Sequence, residues 1–170
     1  MKFIAGIDPG LSGAIALLDG DTVSEIYDMP TIKTTVMATV DGKKKKMVRR
    51  RLDAYALARW FDLYGKDISE AFIENPQSKP TDGHIQAFRL GFNCGVAQAM
   101  VASQFVPVRL VPPATWKRAM GLTSDKDAVR LVASQMLPSA SHMWPLVKHD
   151  GRAEAALLAV YGRRLSKQPH

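Results

Sequence analysis

Four carboxylates carry the chemistry that this sequence suggests. Asp8 closes the apolar run Phe3-Ile4-Ala5-Gly6-Ile7, directly before Pro9-Gly10. Glu74 closes a second apolar stretch, Phe72-Ile73, directly before Asn75-Pro76. Asp150 and Glu154 lie four residues apart, one helical turn, and so share a face. A charge at the tip of a core strand is costly to bury, and its usual companion is a cation or a metal. The plainer readings stay open beside this one. Asp shapes turns by itself, Asp150 suits a helix first turn, and Glu154 suits an exposed helix face. Alanines at 153, 155 and 156 weigh against that last reading, because they predict close packing around Glu154. Gathered in one place, the four acids make an all-oxygen site suited to Mg²⁺ or Mn²⁺. One such ion, or two about 4 Å apart, activates water and stabilises the leaving oxygen of a phosphodiester. Zinc is disfavoured, since one cysteine and unsuitably spaced histidines do not match its usual ligand sets.

The elements that must position these acids are legible in outline. Pro-Gly after Asp8 is a turn signal, and Gly13–Leu18 is an apolar strand ending at Asp19-Gly20, a hairpin signal. A third strand over about Thr22–Met29 completes an antiparallel meander. Residues 31–52 form an extended excursion, a hairpin if Asp41-Gly42 is its turn. Leu52–Tyr64 reads as an amphipathic helix capped by Asp53, with Trp60 in its core stripe. Glu70–Glu74 is a short strand. Adjacent strands lie about 4.8 Å apart, so Asp8 and Glu74 reach one small site if their strands pair. Residues 84–104 are a long helix in which Gly91, Gly95 and Ala99 form a small-residue face, read as a packing surface that allows close approach to a sheet or a partner helix, with Cys94 in the core. Val106–Val111 is a buried strand. Ala114–Gly121 is a short basic helix or turn bearing Trp116, Lys117 and Arg118. Ser124 or Asp125 caps a helix reaching about Met136, residues 138–149 form a loop, and Asp150–Leu165 is the final helix.

At 170 residues with 46% hydrophobic content, the length fits one domain, 1–170, with an ample core. No run of about 18 apolar residues spans a membrane. Asp8 comes too early for a secretory signal. The single cysteine excludes an internal disulfide and fits a reducing cytoplasm. The net charge of +7 has one source. Lys43, Lys44, Lys45, Lys46, Arg49, Arg50 and Arg51 are seven basic groups in a stretch without an acid, and the rest of the chain nets zero. So concentrated a patch suits a polyphosphate backbone, which releases counterions as its charge is neutralised. A solvated mobile loop is the alternative.

Several motifs resemble RuvC-type Holliday junction resolvases of the ribonuclease H-like superfamily, especially those of phages and prophages. They are Gly-Ile-Asp-Pro-Gly at 6–10, Phe-Ile-Glu-Asn-Pro at 72–76, Leu-Gly-Phe-Asn-Cys-Gly at 90–95, Val-Pro-Pro-Ala-Thr-Trp-Lys-Arg-Ala-Met-Gly at 111–121, Ser-Asp-Lys-Asp-Ala-Val at 124–129 and His-Asp-Gly-Arg-Ala-Glu-Ala at 149–155. Each is weak alone; their order and spacing across nearly the whole chain make the likeness. The resemblance implies an α/β fold with a five-stranded mixed sheet, three antiparallel strands then parallel ones, flanked by helices. It implies a homodimer that nicks opposed strands of branched DNA with Mg²⁺, or with Mn²⁺ as substitute. It matches Asp8, Glu74, Asp150 and Glu154 to the metal-binding acids, and Lys117 and Lys126 to basic positions near the scissile phosphate.

Three features depart from the family pattern. The closing acids are four residues apart where many relatives have three, and the second is Glu154 rather than Asp. His149 is a candidate stand-in beside them. Gln77 occupies the place of an aromatic that stacks at the junction in some relatives. The basic excursion, absent from compact cellular members, is assigned to gripping DNA arms. Two other readings compete: a ribonuclease H-like enzyme acting on RNA or an RNA–DNA hybrid, and a non-catalytic junction-binding module. Sugar-kinase and actin-like ATPases share the opening strand–Asp–Gly turn, but need a second domain for which the chain has no room.

Overall fold

The computed structural model describes residues 2–78, 81–123 and 125–167. The meander forms as its turn signals require: β1 (Phe3–Ile7), β2 (Ala14–Asp19) and β3 (Thr22–Asp28) pair antiparallel in succession. Next comes a separate two-stranded ribbon, β4 (Thr31–Val40) and β5 (Lys43–Leu52), in register from Thr31↔Leu52 to Val40↔Lys43. Asp41 and Gly42 both take positive φ, 51° and 72°, as a tight hairpin turn requires. Helix α1 (Ala54–Tyr64) leads to β6 (Ile68–Glu74), which returns parallel to β1. Helix α2 (His84–Ser103) crosses over to β7 (Val108–Val111), parallel to β6. Helices α3 (Pro113–Ala119), α4 (Lys126–Met136) and α5 (Asp150–Ser166) complete the chain. The main sheet runs β3-β2-β1-β6-β7.

Strand alternation divides the core into two layers. Ala5, Ile7, Ile15, Leu17, Ala71 and Ile73 face α1 and α2, with Leu57, Trp60, Phe61, Cys94, Ala97 and Val101 packed on them. Ala14, Ala16, Leu18 and Phe72 face α5, whose alanines, Leu157 and Leu158 are fully buried. Gly6 makes that close approach possible, since a Cβ there would lie 2.1 Å from the Ala155 carbonyl oxygen and 2.5 Å from the Ala159 nitrogen. Phe72 lies over Gly162, where a Cβ would stand 2.2 Å from its ring. Burying a side chain of that size stabilises by about 1.5–3 kcal/mol.

Two caps appear where they are expected. Asp53 accepts from the Ala56 N–H at 3.0 Å, and Asp125 from Asp127 and Ala128 at 2.8 and 3.1 Å; such a cap stabilises by about 1 kcal/mol. Ser124, the other candidate cap of α4, lies outside the described residues. Two expectations need correction. The 138–149 stretch is not plain loop: it winds into 3₁₀ turns at Pro138–Met143 and Val147–His149, held by Trp144 in the core, whose Nε1 donates to Ser134 at 2.9 Å. The Gly91–Gly95–Ala99 face does not pack on the sheet. All three residues are exposed, and a Cβ at Gly91 or Gly95 meets nothing within 4 Å. The sheet instead takes the stripe through Asn93, Cys94, Ala97 and Val101, which offers more apolar surface. No described helix is long and apolar enough to cross a membrane.

Candidate active site

Asp8 and Glu74 follow Ile7 and Ile73, which are directly opposed in the parallel β1–β6 pair. The two acids therefore end neighbouring strands side by side. Alternation also fixes their direction: Gly6 and Phe72 face α5, so Asp8 and Glu74, two residues on, face it too. This is the carboxyl end of the parallel strands, where open α/β sheets bind their ligands.

Asp8 shapes its turn as well as closing its strand. Its Oδ1 accepts from the Gly10 N–H at 2.9 Å, and its own N–H donates to the Ala14 carbonyl at 2.9 Å. Gly13 is needed here, because a Cβ would lie 2.2 Å from the Asp8 carbonyl oxygen and 2.6 Å from its Cγ. Gly13 also bridges in parallel to Gly151 in the first turn of α5, where a Cβ would lie 2.3 Å from the Ser12 carbonyl oxygen. Two glycines thus press the Asp8 turn onto the helix that carries Asp150 and Glu154.

The electrostatics tie the four acids together. Burial pushes Asp8 up to about 6; the Gly10 N–H works against this, and the charges of Glu154 and Asp150 add to it. Asp8 is partly reached by solvent, but the dense protein around it disfavours its charge more strongly than that exposure suggests. Glu74 is pushed up to about 7, by burial first and then by the charges of Asp8 and Glu154. Its Oε2 is buried without a hydrogen-bond partner. The Trp116 indole lies near enough to favour the Glu74 charge, outside strict hydrogen-bond geometry, and its own Nε1 is likewise unpartnered.

The helix acids are held by lysines. Lys117 Nζ lies 2.7 Å from Glu154 Oε1, and Lys126 is hydrogen-bonded to Asp150 Oδ2. Asp150 is 8% exposed, and its bond to Lys126 raises the lysine pKa. As these side chains stand, no three acidic, histidine or cysteine groups among the described residues close on one ion position. Lysine ammonium groups neutralise part of the cluster instead. The donor set is still all carboxylate oxygen, Glu74 Oε2 is an orphan, and burial together with the neighbouring acids raises Asp8 to about 6 and Glu74 to about 7 against the opposing charge of Lys117. In donor chemistry the cluster fits Mg²⁺ or Mn²⁺.

Other sequence candidates lie elsewhere. His149 is not beside the acids: its Nδ1 accepts from the Leu146 N–H at 3.4 Å, and its neighbours are Arg152, Lys148 and Asp28. Burial, then Arg152 and Lys148, hold its pKa below the ordinary value. Arg152 itself grips Asp28 through two bonds of 2.6 and 2.5 Å, so that side of the α5 terminus is structural. Gln77 and Arg118 are exposed. Lys43, Lys44, Lys45 and Lys46 are exposed along the end of β5 nearest its hairpin turn, and Arg49, Arg50 and Arg51 lie near its base. Arg50 ties that base to the Asp8 turn, donating to the Leu11 carbonyl at 2.7 Å. Sequence reasoning missed the Gly13–Gly151 bridge. It also missed the exposed Phe88 and Phe92 of α2; their signal was two phenylalanines one turn apart on the helix face that carries the glycines.

The order of strands, three antiparallel and then two parallel, with helices on both faces, defines the ribonuclease H-like class. Within it the fold is that of RuvC. Superposition on Thermus thermophilus RuvC in complex with a Holliday junction substrate covers 98% of this chain and 97% of that one, with a TM-score of 0.55 at 14% identity. A second Thermus thermophilus RuvC structure superposes over 96% of each chain at 17% identity and a TM-score of 0.49. The chloroplastic Holliday junction resolvase MOC1 of Chlamydomonas reinhardtii is 29% identical over 106 residues, 61% of this chain. This chain spans 11% of the length of that relative. No family model matches the chain.

Proposed function

We propose that this protein is a divalent-metal-dependent endodeoxyribonuclease that nicks four-way and other branched DNA junctions. The observation that carries the reading is the convergence of two strand-end acids and two helix acids in one electrostatic field with two lysines. The RuvC fold and a relative named as a Holliday junction resolvase support it.

In this reading Asp8, Glu74, Asp150 and Glu154 hold Mg²⁺, with Mn²⁺ able to replace it. The bound ion supplies an activated water and charge stabilisation at a phosphodiester. Asp8 Oδ1 stays on the Gly10 N–H, which fixes the carboxylate for binding. Glu74 Oε2, buried and without a hydrogen-bond partner, is the oxygen that would be free to hold the ion. Lys117 and Lys126, bonded to Glu154 and Asp150, would present their ammonium groups to the incoming phosphate. Arg118 and the basic residues of β5 contact the DNA backbone. Two copies, each with one site, cut opposed strands.

Asp8→Asn and Glu74→Gln test this directly. Both variants abolish nicking of a synthetic four-way junction in Mg²⁺ while gel-shift affinity for the junction survives. Cleavage retained by both removes the metal-site reading.

A further inference from the structure

Glu74 and Val111 are register partners at the ends of the parallel strands β6 and β7. Pro112 and Pro113 stop β7 there, and Pro113 opens α3 at its first position, where a missing N–H costs the helix nothing. Trp116 follows one turn later, its backbone N–H on the Pro112 carbonyl at 3.4 Å. The indole therefore stands beside the strand end that carries Glu74, and it is fully buried. An indole N–H only donates, and a carboxylate only accepts. Trp116 Nε1 and Glu74 Oε2 are both buried and both lack a partner among the described residues. Packing alone does not call for an indole here, since a phenyl or aliphatic side chain fills a core place without burying a donor. The other tryptophans give the contrast. Trp144 Nε1 donates to Ser134 at 2.9 Å. Trp60 Nε1 is also unpartnered, but Trp60 stacks with Tyr27 and Tyr64 in the layer on the other face of the sheet from α5.

The face of the Trp116 ring is occupied as well as its edge. Lys117 Nζ lies 5.3 Å from the ring centroid, within cation–π range, and 2.7 Å from Glu154 Oε1. One side chain of α3 thus touches the surroundings of a strand-end acid and of a helix acid. We infer that Trp116 is a positioning residue of the acid cluster: its indole N–H donates to the Glu74 carboxylate, and its ring seats the Lys117 ammonium on Glu154. A carboxylate offers about four lone-pair sites, so one N–H leaves room for an ion at Oε2. Partners of this kind orient ligating groups, and losing one costs about tenfold to a hundredfold in metal affinity. The inference rests on the proposed metal-dependent function and adds to it a residue that acts through Glu74 and Lys117.

The test uses the full chain without DNA. In the NMR spectrum the Trp116 indole N–H resonance, assigned in the wild type by correlation to its own backbone, moves on Glu74→Gln and on addition of Mg²⁺; those of Trp60 and Trp144 stay in place. Trp116→Phe keeps a ring face for Lys117 and removes the N–H. By calorimetry it weakens Mg²⁺ binding about tenfold, whereas in the Glu74→Gln background the same substitution changes it little. With junction DNA, the variant loses turnover and keeps its affinity. A Trp116 resonance indifferent to Glu74→Gln overturns the inference, whether or not the Phe variant folds. So does an equal loss of Mg²⁺ affinity in both backgrounds, which would leave Trp116 a packing residue only, and so does an undiminished affinity in Trp116→Phe. A wild type that neither binds Mg²⁺ nor nicks a junction counts against the proposed function instead, while the resonance of the metal-free protein decides the Trp116–Glu74 bond separately.

Discussion

Asp8 shows how one residue serves turn and site together. Its Oδ1 completes the turn, while burial and the neighbouring acids hold its pKa at about 6 and that of Glu74 at about 7. Both values lie above the ordinary carboxylate values of 3.8 and 4.5, so the folded metal-free protein binds these protons more tightly than the unfolded chain. The sign follows: the contribution of these two acids to stability is fullest below about pH 4 and is lost as pH rises to about 7, by on the order of 2–3 kcal/mol for each acid. Metal-free melts from pH 5 to 8 should show this decline, and saturating Mg²⁺ should reduce it; a flat profile contradicts it. Asp8→Asn keeps an oxygen for the Gly10 N–H and removes the charge. It should therefore raise the metal-free melting temperature at pH 8 by about 4–8 °C while abolishing activity. A lowered melting temperature would show that the Asp8 charge is already compensated in the metal-free fold.

At the scale of elements, the site depends on how closely α5 approaches β1 and the Asp8 turn. Gly13→Ala or Gly151→Ala places a methyl group against backbone atoms 2.2–2.3 Å away, where no side chain can yield. Each should cost about 1–3 kcal/mol and move the Asp8 carboxylate off the helix acids, reducing cleavage more than junction affinity. Equal losses of both would point to general unfolding. The ribbon behaves differently, because it pairs only with itself. Thr31 and Leu52 are cross-strand partners, and the Asp53 N–H donates to the Pro30 carbonyl at 2.9 Å outside the ribbon. Replacing 32–51 by Asn-Gly should leave the five-stranded sheet folded by circular dichroism. It should also weaken junction binding and flatten its salt dependence, by about 0.9 in log–log slope for each phosphate that β5 no longer neutralises. An unchanged slope would place β5 off the DNA path.

For the molecule as a whole, acids from three distant stretches meet at the carboxyl ends of the central strands, and the excess basic charge lies on one ribbon. Much of this was legible in the sequence. Apolar runs ending in Asp8 and Glu74 announced strand tips, and the Asp41-Gly42 turn announced the ribbon. What was not legible depended on which side of an element faces the sheet. The small residues of α2 looked like its packing face, whereas the larger stripe through Cys94, Ala97 and Val101 took that place and left Phe88 and Phe92 outside. His149, adjacent to Asp150 in sequence, is directed by the helix turn toward Arg152 and Asp28. The most direct measurement is digestion, in Mg²⁺, of a synthetic four-way junction beside a flap, a linear duplex and an RNA–DNA hybrid. The account predicts nicks in the branched DNA, none in linear duplex and none without metal. Intact junctions under every divalent ion tried, or preferred cleavage of the hybrid, would contradict it.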